Sequence, residues 1–233
     1  MKISTEIIKT ATALIDIQSC ADFRVDSDET GWKINALDPS HVSFSKIFIP
    51  ATAFEGYESW DTFSVDLEKF QKSLNSKGAE LDLDMAPGMM TIKGAGLTTK
   101  IRLLDPREAG RTPAIVPPAE VVISSSELKK IIKVLDDQMS LTLTLTEEGL
   151  SMAGFSEDGT GSQLDIPADD CIALNGVARA SYPLGMLRDF AKALPDKVDA
   201  DILLGDDMPL VISYDLAGAQ FTWLVAPWID QDV

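Results

Sequence analysis

Polar and apolar positions alternate along much of the 233-residue chain. "LTLTLT" sets Leu141, Leu143 and Leu145 against threonines, "LDLDM" sets Leu81, Leu83 and Met85 against aspartates, and "LVISYDL" puts Leu210, Ile212, Tyr214 and Leu216 on one face. A period of two with a polar opposite face predicts antiparallel sheet with one side in water. Four segments carry a helical period instead, at about 4–18, 66–77, 126–138 and 183–197. In the third, Leu128, Ile131, Ile132 and Leu135 form one stripe, and Ser126 and Glu127 supply a cap and a partner for the helix dipole.

Strand, helix, several strands, helix and several strands occur once before about residue 110 and again after about residue 120. "EEGLSMAGFSEDG" (147–159) occupies in the second half the place of "ETGWKINALDPSH" (29–41) in the first. Between the halves, "DPREAGRTPAIVPPAE" is rich in proline and reads as an extended connector. The expected fold class is α+β, with two similar domains at 1–108 and 121–233 joined by a connector at 109–120. Within "INALDPSHVSFSKIFIP", residues 34–50, a polar kink (Asp38, Pro39, Ser40 and His41, the chain's single histidine) interrupts what is otherwise strand.

Composition narrows the function. The two cysteines, Cys20 and Cys171, fit no metal or redox spacing and read as reduced thiols. The amino-terminal apolar run contains polar residues, and no window approaches the ~18 apolar residues of a membrane span, so a soluble intracellular protein is expected. A net charge of −17 argues against a polyanion partner until it is divided among elements. The four helical segments carry +1 and the remaining 178 residues −18. Lys9, Lys69, Lys72, Lys77, Lys129, Lys130, Lys133, Arg188, Lys192 and Lys197 supply the helical positive charge. Lys129 with Lys133, and Arg188 with Lys192, are i, i+4 pairs off the apolar stripes. A protein acidic outside and basic on one helical surface suggests an enclosed polyanion.

Catalysis finds little support. There is no G-x-S-x-G, H-E-x-x-H or phosphate-binding glycine loop, and the adjacent pairs Asp169-Asp170 and Asp206-Asp207 read as loop acid rather than a divalent-metal site. The expectation is a protein without catalytic residues, metal or cofactor.

"NALDPSHVSF" (35–44), "LLDP" (103–106), "VPPAEVVISSSELKKII" (116–132) and "DMPLVISYDLAGAQFTWLVAPWID" (207–230) resemble, in order and over almost the whole chain, the sliding clamps of the proliferating cell nuclear antigen (PCNA) type, particularly the archaeal ones. The resemblance implies three subunits head to tail in a ring, helices lining the hole and sheets outside. It implies a processivity factor encircling duplex DNA without reading its sequence. The implied partners are DNA polymerase, clamp loader, flap endonuclease and DNA ligase, tethered through short peptides, with no membrane partner. The implied location is the cytoplasm of an archaeal-type cell, or the nucleus if the source is a eukaryote. The ten basic side chains above would face DNA.

The resemblance also places a partner-peptide pocket at the kink, the connector and the closing A-P-x-I-like segment. Its residues would be Leu37, His41, Val42, Phe44, Ile115, Val116, Met208, Pro209, Val225, Ala226 and Pro227. Two departures from the family pattern stand out, a shorter connector and Trp228 where a Lys or Arg is usual. For assembly, "TTKIRLLDPR" is basic (Lys100, Arg102, Arg107) and "SEDGTGSQLDI" acidic (Glu157, Asp158, Asp165), so unlike edges would pair through Lys100, Ile101, Arg102, Leu103, Gln163 and Asp165. Burial of Ile101 and Leu103 is expected to outweigh the screened charges. The alternative readings are a subunit of a heteromeric or checkpoint-type clamp and, further off, a metal-dependent enzyme using the paired aspartates.

Overall fold

A computed structural model of the chain describes residues 1–106, 108, 112–134, 140–155 and 160–229. Two compact units emerge, Met1–Thr112 with Asp215–Phe221, and Pro113–Tyr214 with Thr222–Val233.

Unit 1 runs β1 (Lys2–Ser4), α1 (Thr5–Asp16), β2 (Asp22–Asp28), β3 (Gly31–Leu37), β4 (Ser43–Pro50), a 3-10 turn (Ala51–Ala53), β5 (Phe54–Glu55), β6 (Phe63–Asp66), α2 (Leu67–Ser73), β7 (Glu80–Ala86), β8 (Met89–Gly94) and β9 (Leu97–Arg102). Unit 2 repeats that order: β10 (Ala119–Ser124), α3 (Ser125–Val134), β11 (Ser140–Thr146), β12 (Gly149–Phe155), β13 (Gly161–Pro167), a 3-10 turn (Ala168–Asp170), β14 (Ala173–Asn175), β15 (Ala178–Pro183), α4 (Leu184–Ala193), β16 (Asp199–Leu204), β17 (Leu210–Leu216) and β18 (Ala219–Val225). Pairing repeats too. In unit 1 the strand orders are β5-β1-β7-β8-β9 and β6-β2-β3-β4; in unit 2 they include β14-β10-β16-β17 and β15-β11-β12-β13, and all of these neighbours run antiparallel.

Equivalent residues follow from this. Ser4 and Ser124 end the strand before each first helix, and each hydroxyl caps it, accepting from Glu6 N and Glu127 N respectively, so the cap of α3 is Ser124 and not the expected Ser126, which lies inside the helix. Gly31 and Gly149 open the strand after each first hairpin turn at φ 139 and 141. A Cβ there would meet the Ile49 carbonyl oxygen at 2.1 Å and the Ile166 carbonyl oxygen at 2.0 Å. Only glycine fits such a backbone approach, so the ETG and EEG stretches match for a steric reason.

Each unit has its own core. α1 buries Ile7, Ile8, Ala11, Leu14 and Ile15, the amphipathic spacing of a helix laid on a sheet, and Phe70 of α2 meets Phe23 edge to face at 5.6 Å. In unit 2, Leu128, Ile131 and Ile132 of α3 and Leu187 and Phe190 of α4 are buried, and Phe190 stacks on Trp223 at 4.7 Å.

The helices stop earlier than their periodicity predicts. α2 ends at Ser73, and Ser76 (φ 60) and Gly78 (φ 78) turn the chain back. α4 ends at Ala193 because Pro195 disfavours a helical residue before it, and Leu194 is extended at ψ 126. The expected end of the third helix, including Leu135, lies outside the described residues. No helix among the described residues is long and apolar enough to cross a membrane.

Candidate functional site

The predicted basic surface is largely on the helices. Lys9, Lys69, Lys72, Lys130, Lys133 and Lys192 are exposed, while Lys129 and Arg188 are half-buried. Lys129, Lys133, Arg188 and Lys192, with Ile132 and Ala191, line a groove of about 330 Å³ along α3 and α4. Lys129 pairs with Asp196 at 2.6 Å, and that ammonium holds the Asp196 carboxyl below its ordinary range. Acids on the same helices hold others: Lys130 with Glu127 at 3.0 Å, Lys192 with Asp189 at 2.8 Å, and Lys72 with Glu68. Lys69 folds back on the helix cap Asp66, whose carboxyl accepts from Lys69 N and is thereby lowered. These are exposed pairs, each worth ~0–1 kcal/mol, so a phosphate can take over their cations.

Two of the ten predicted residues need correction. Lys77 is 2 % exposed, because the chain has already turned after α2 and encloses the side chain, so it faces nothing outside. Lys197 is exposed but sits at φ 63 in the turn after α4, not on a helix.

The kink is a built turn. Asp38 N donates to Ser43 O at 3.0 Å and His41 N to Asp38 O at 2.8 Å, while the Asp38 carboxylate accepts from Ser40 N at 3.0 Å and Val42 N at 3.3 Å. Aspartate thus organises its own loop, and exposed His41 takes the left-handed conformation that closes it, φ 60. Beneath lies a polar cluster that the sequence pattern did not reveal. Buried Gln18, just past α1, donates from Nε2 to Ser45 Oγ at 2.7 Å and accepts at Oε1 from Ser43 Oγ at 2.6 Å, and Ser45 Oγ donates to Leu14 O at 3.0 Å. Leu37 is 36 % exposed and Val42 half-buried, whereas Phe44 is a core residue at 3 %. Phe44 offers almost no surface to a ligand, which corrects its place as a lining residue.

In unit 2, β15 ties two predicted segments to one place. Tyr182 donates its hydroxyl to Met208 O at 3.0 Å, and its neighbour Ser181 accepts from Trp228 N at 2.6 Å. Gly205 lets Met208 and Pro118 approach, since a Cβ there would meet Met208 Sδ at 2.6 Å and Pro118 Cδ at 2.8 Å. Pro209, Ala226, Pro227 and Ile115 are half-exposed, Val116 is 81 % exposed, and Trp228 39 %. Val225 is fully buried and, like Phe44, belongs to the core.

β9 closes one end of the five-stranded order of unit 1 and β13 one end of the four-stranded order of unit 2; among the described residues neither has a partner on its outer side. Lys100 and Arg102 are exposed on β9. Gln163 and Asp165 are exposed on β13 and touch, Gln163 Nε2 donating to Asp165 at 2.9 Å, a bond that lowers the Asp165 carboxyl together with one from Ser151. Ile101, at 4 %, is already buried in its own unit and has no area left to give a neighbour, so the apolar surface on this edge comes from Leu97, 48 % exposed, and half-exposed Leu103. Arg107, Glu157 and Asp158 lie outside the described residues.

No protein-family model matches the chain. Curated relatives do, end to end. It is 28% identical over 250 residues to the DNA polymerase sliding clamp of Methanocella arvoryzae, covering 99% of this chain and 98% of that one. It is 27% identical over 241 residues to that of Halobacterium salinarum, covering 97% and 95%. Among solved structures, A. fulgidus PCNA with the C-terminal region of FEN-1 bound superposes at a TM-score of 0.92 with 24% identity, covering 99% of this chain and 98% of that one. PCNA from Thermococcus kodakaraensis gives 0.88 with 21% identity, covering 97% and 99%. A duplicated unit with basic helices and with two sheet edges open among the described residues is thus similar in sequence, along its whole length, to DNA polymerase sliding clamps, and its fold is that of the PCNA structures.

Proposed function

We propose that the protein is a DNA sliding clamp: three copies close head to tail into a ring that encircles duplex DNA, reads no sequence, and tethers replication and repair proteins. The observation that carries this reading is the duplicated unit, whose sequence aligns with sliding clamps over 97% of the chain or more. The role is that of a scaffold and not a catalyst, working in the cytoplasm of an archaeal-type cell. The functional domains are 1–108 and 121–233, with 109–120 as the connector. Support for ring closure comes from the open edges of β9 and β13, one basic and one acidic, which suit heterologous pairing. Lys9, Lys69, Lys72, Lys129, Lys130, Lys133, Arg188, Lys192 and Lys197 are assigned to phosphate binding.

Partner peptides are assigned to Leu37, His41 and Val42 at the kink and, in unit 2, to Ile115, Val116, Met208, Pro209, Ala226 and Pro227, with Phe44 and Val225 as buried support. DNA polymerase, clamp loader, flap endonuclease and DNA ligase are the partners, and the FEN-1 region bound to A. fulgidus PCNA is the precedent for such docking. A second reading, a subunit of a mixed ring, has its own precedent in the similar PCNA2–PCNA3 complex of Sulfolobus tokodaii, TM-score 0.82.

Light scattering of the purified chain separates the two: a trimer of 25.2 kDa subunits supports the homomeric clamp, and a monomer at every salt concentration eliminates it. Calorimetry then tests the site. Val42→Asp places an unpaired carboxylate where an apolar anchor would sit, at a cost of about 2–5 kcal/mol, and is expected to abolish binding of a glutamine, aliphatic and double-aromatic peptide while leaving the trimer intact. Equal affinity in parent and variant would move the peptide site away from the kink.

A further inference from the structure

Unit 1 carries a second concave surface, separate from the kink and from the basic helices. Three segments wall a groove of about 710 Å³: Glu58–Phe63, which leads into and begins β6, Met85–Gly88 at the β7–β8 turn, and Leu103–Pro106, which follows β9. Its walls are fixed to one another and to the sheet. Leu103 N donates to Gly88 O at 2.9 Å, Leu104 N to Ser64 O at 2.8 Å, and Trp60 N to Ser27 Oγ at 2.9 Å. Thr62 Oγ1 donates to Asp26 at 3.2 Å. The groove is therefore preformed and needs no ordering on binding.

Its chemistry is two-sided. Trp60, half-buried, rests on Trp32 at 5.7 Å and Phe63 at 6.0 Å, and Met85 and Leu104, the latter 41 % exposed, extend this apolar surface. Glu58, Asp61 and Asp105 are exposed around it; the lining contains no basic residue, and none of the three acids has an ion pair among the described residues. The fold does not require this arrangement. In unit 2 the segment between the 3-10 turn and β15, Cys171–Val177, has neither an aromatic nor an acidic residue.

We infer that this groove is a docking site for a cationic, arginine-containing segment of a partner protein. An arginine suits both halves of the site: its guanidinium stacks on an indole and bonds carboxylates in a fork, while its methylene stem covers apolar surface. The carboxylates repel phosphate, which excludes nucleic acid from the same place. They also disfavour a second copy of this chain, whose own net charge is −17. The inference concerns unit 1 alone and does not depend on the clamp reading.

The probe is acetyl-Arg-Leu-Arg-Arg-amide, titrated into the full-length protein labelled at tryptophan indole nitrogens, with acetyl-Gln-Leu-Gln-Gln-amide as the uncharged control. Trp60→Phe identifies the Trp60 signal among the four tryptophans. The expected result is a saturable shift of the Trp60 signal with the arginine peptide and none with the glutamine peptide. Glu58→Gln with Asp61→Asn and Asp105→Asn should weaken binding by about tenfold or more, with far-UV spectra and melting unchanged. The inference is overturned if the arginine peptide binds while Trp60 stays unperturbed, which would mark general attraction to an acidic surface. Equal binding by the triple variant overturns it as well. So does a Trp60 signal that moves with protein concentration and no longer responds to peptide, which would mean that a second copy covers the groove. Val42→Asp is expected to leave this titration unchanged, so failure here and failure at the kink are read separately.

Discussion

The two units repeat a fold but not a charge pattern. Counting from Ser4 and Ser124 along the first helices, and from Leu67 and Leu184 along the second, the groove cations Lys129, Lys133, Arg188 and Lys192 of unit 2 correspond to Lys9, Ala13, Gln71 and Asn75 of unit 1. One of the four positions is basic in both. The buried positions match far better: Ile8 with Leu128, Ala11 with Ile131, and Phe70 with Leu187 are all inside. Gln71 uses its position to bridge helices, donating to Thr12 O at 3.4 Å, where unit 2 has Arg188 in the groove lining. Packing constrains the inner face of each helix twice over, whereas the outer face answers only to what it meets.

The strongest test of that difference is at the DNA. Lys129→Glu, Lys133→Glu and Lys192→Glu combined with Arg188→Gln should lower duplex affinity about a thousandfold at low salt and reduce the salt slope by about 0.9 for each phosphate no longer neutralised. Lys9→Glu, the unit 1 counterpart, should cost about tenfold or less. Fluorescence anisotropy across a salt series measures both. Equal losses would mean that the two helix pairs share the load and that the unit 2 groove is not the main phosphate surface.

Next in size is the shared backbone. Gly31→Ala and Gly149→Ala each drive a methyl group into a carbonyl near 2 Å and add side-chain strain at positive φ. Each should destabilise by roughly 3 kcal/mol, read from urea midpoints. Similar losses sharpen the equivalence of the units; a near-neutral substitution at one position would show that its hairpin can shift and that the steric reason for the repeated glycine fails there.

What was legible in the sequence follows the same division. The strands and the repeat could be read because period-two alternation and the ETG and EEG glycines are local signals. The helix ends could not: Ser76 and Lys197 turn the chain at positive φ without being glycine, and a lysine at position 77 reads as exposed until the fold encloses it. Gln18, Ser43 and Ser45 are ordinary polar residues whose pairing spans 25 and 27 positions, and the Trp60 groove joins three segments that no short-range pattern connects.

The Gln18 cluster supplies a middle-sized prediction. Gln18→Leu removes two hydrogen bonds made inside unit 1 and should cost about 1–3 kcal/mol. Because Ser43 also accepts from Asp38 N, the loss should loosen the kink and weaken peptide binding, while Gln18→Glu, able to accept from Ser43, should retain more of it. Its counterpart by the same count, Gln138, lies outside the described residues. If Gln18→Leu lowers stability but leaves peptide affinity at the parent value, the cluster is core architecture and does not position the loop.

The smallest effect compares one acid in each unit. Asp82 on β7 and Asp201 on β16 hold equivalent sheet positions, but Asp82 lies between Lys2 and Lys93 in register, and Asp201 between Val122 and Ser213. Asp82 has the amino terminus at 3.8 Å and Lys93 at 3.9 Å. Asp201 Oδ1 is buried with no hydrogen-bond partner among the described residues, and burial, helped by Glu120, raises its carboxyl above the ordinary 3.8. The folded state therefore holds a proton more tightly than the unfolded chain does. Asp201 burdens stability progressively as pH rises from 3.8 through its raised value, and the burden is complete above it. Asp201→Asn should accordingly stabilise the protein at pH 7 by up to about 1 kcal/mol, with the gain shrinking in acid, where the parent is itself protonated. Asp82→Asn removes long ion pairs of a half-exposed carboxylate and should destabilise slightly at pH 7, by about 0.5 kcal/mol or less. Urea denaturation of both variants from pH 4 to 8 reads the signs. Opposite signs at neutral pH would show that sheet position sets the residue type while the cross-strand neighbours set its energy, and a common sign would remove that distinction between the units.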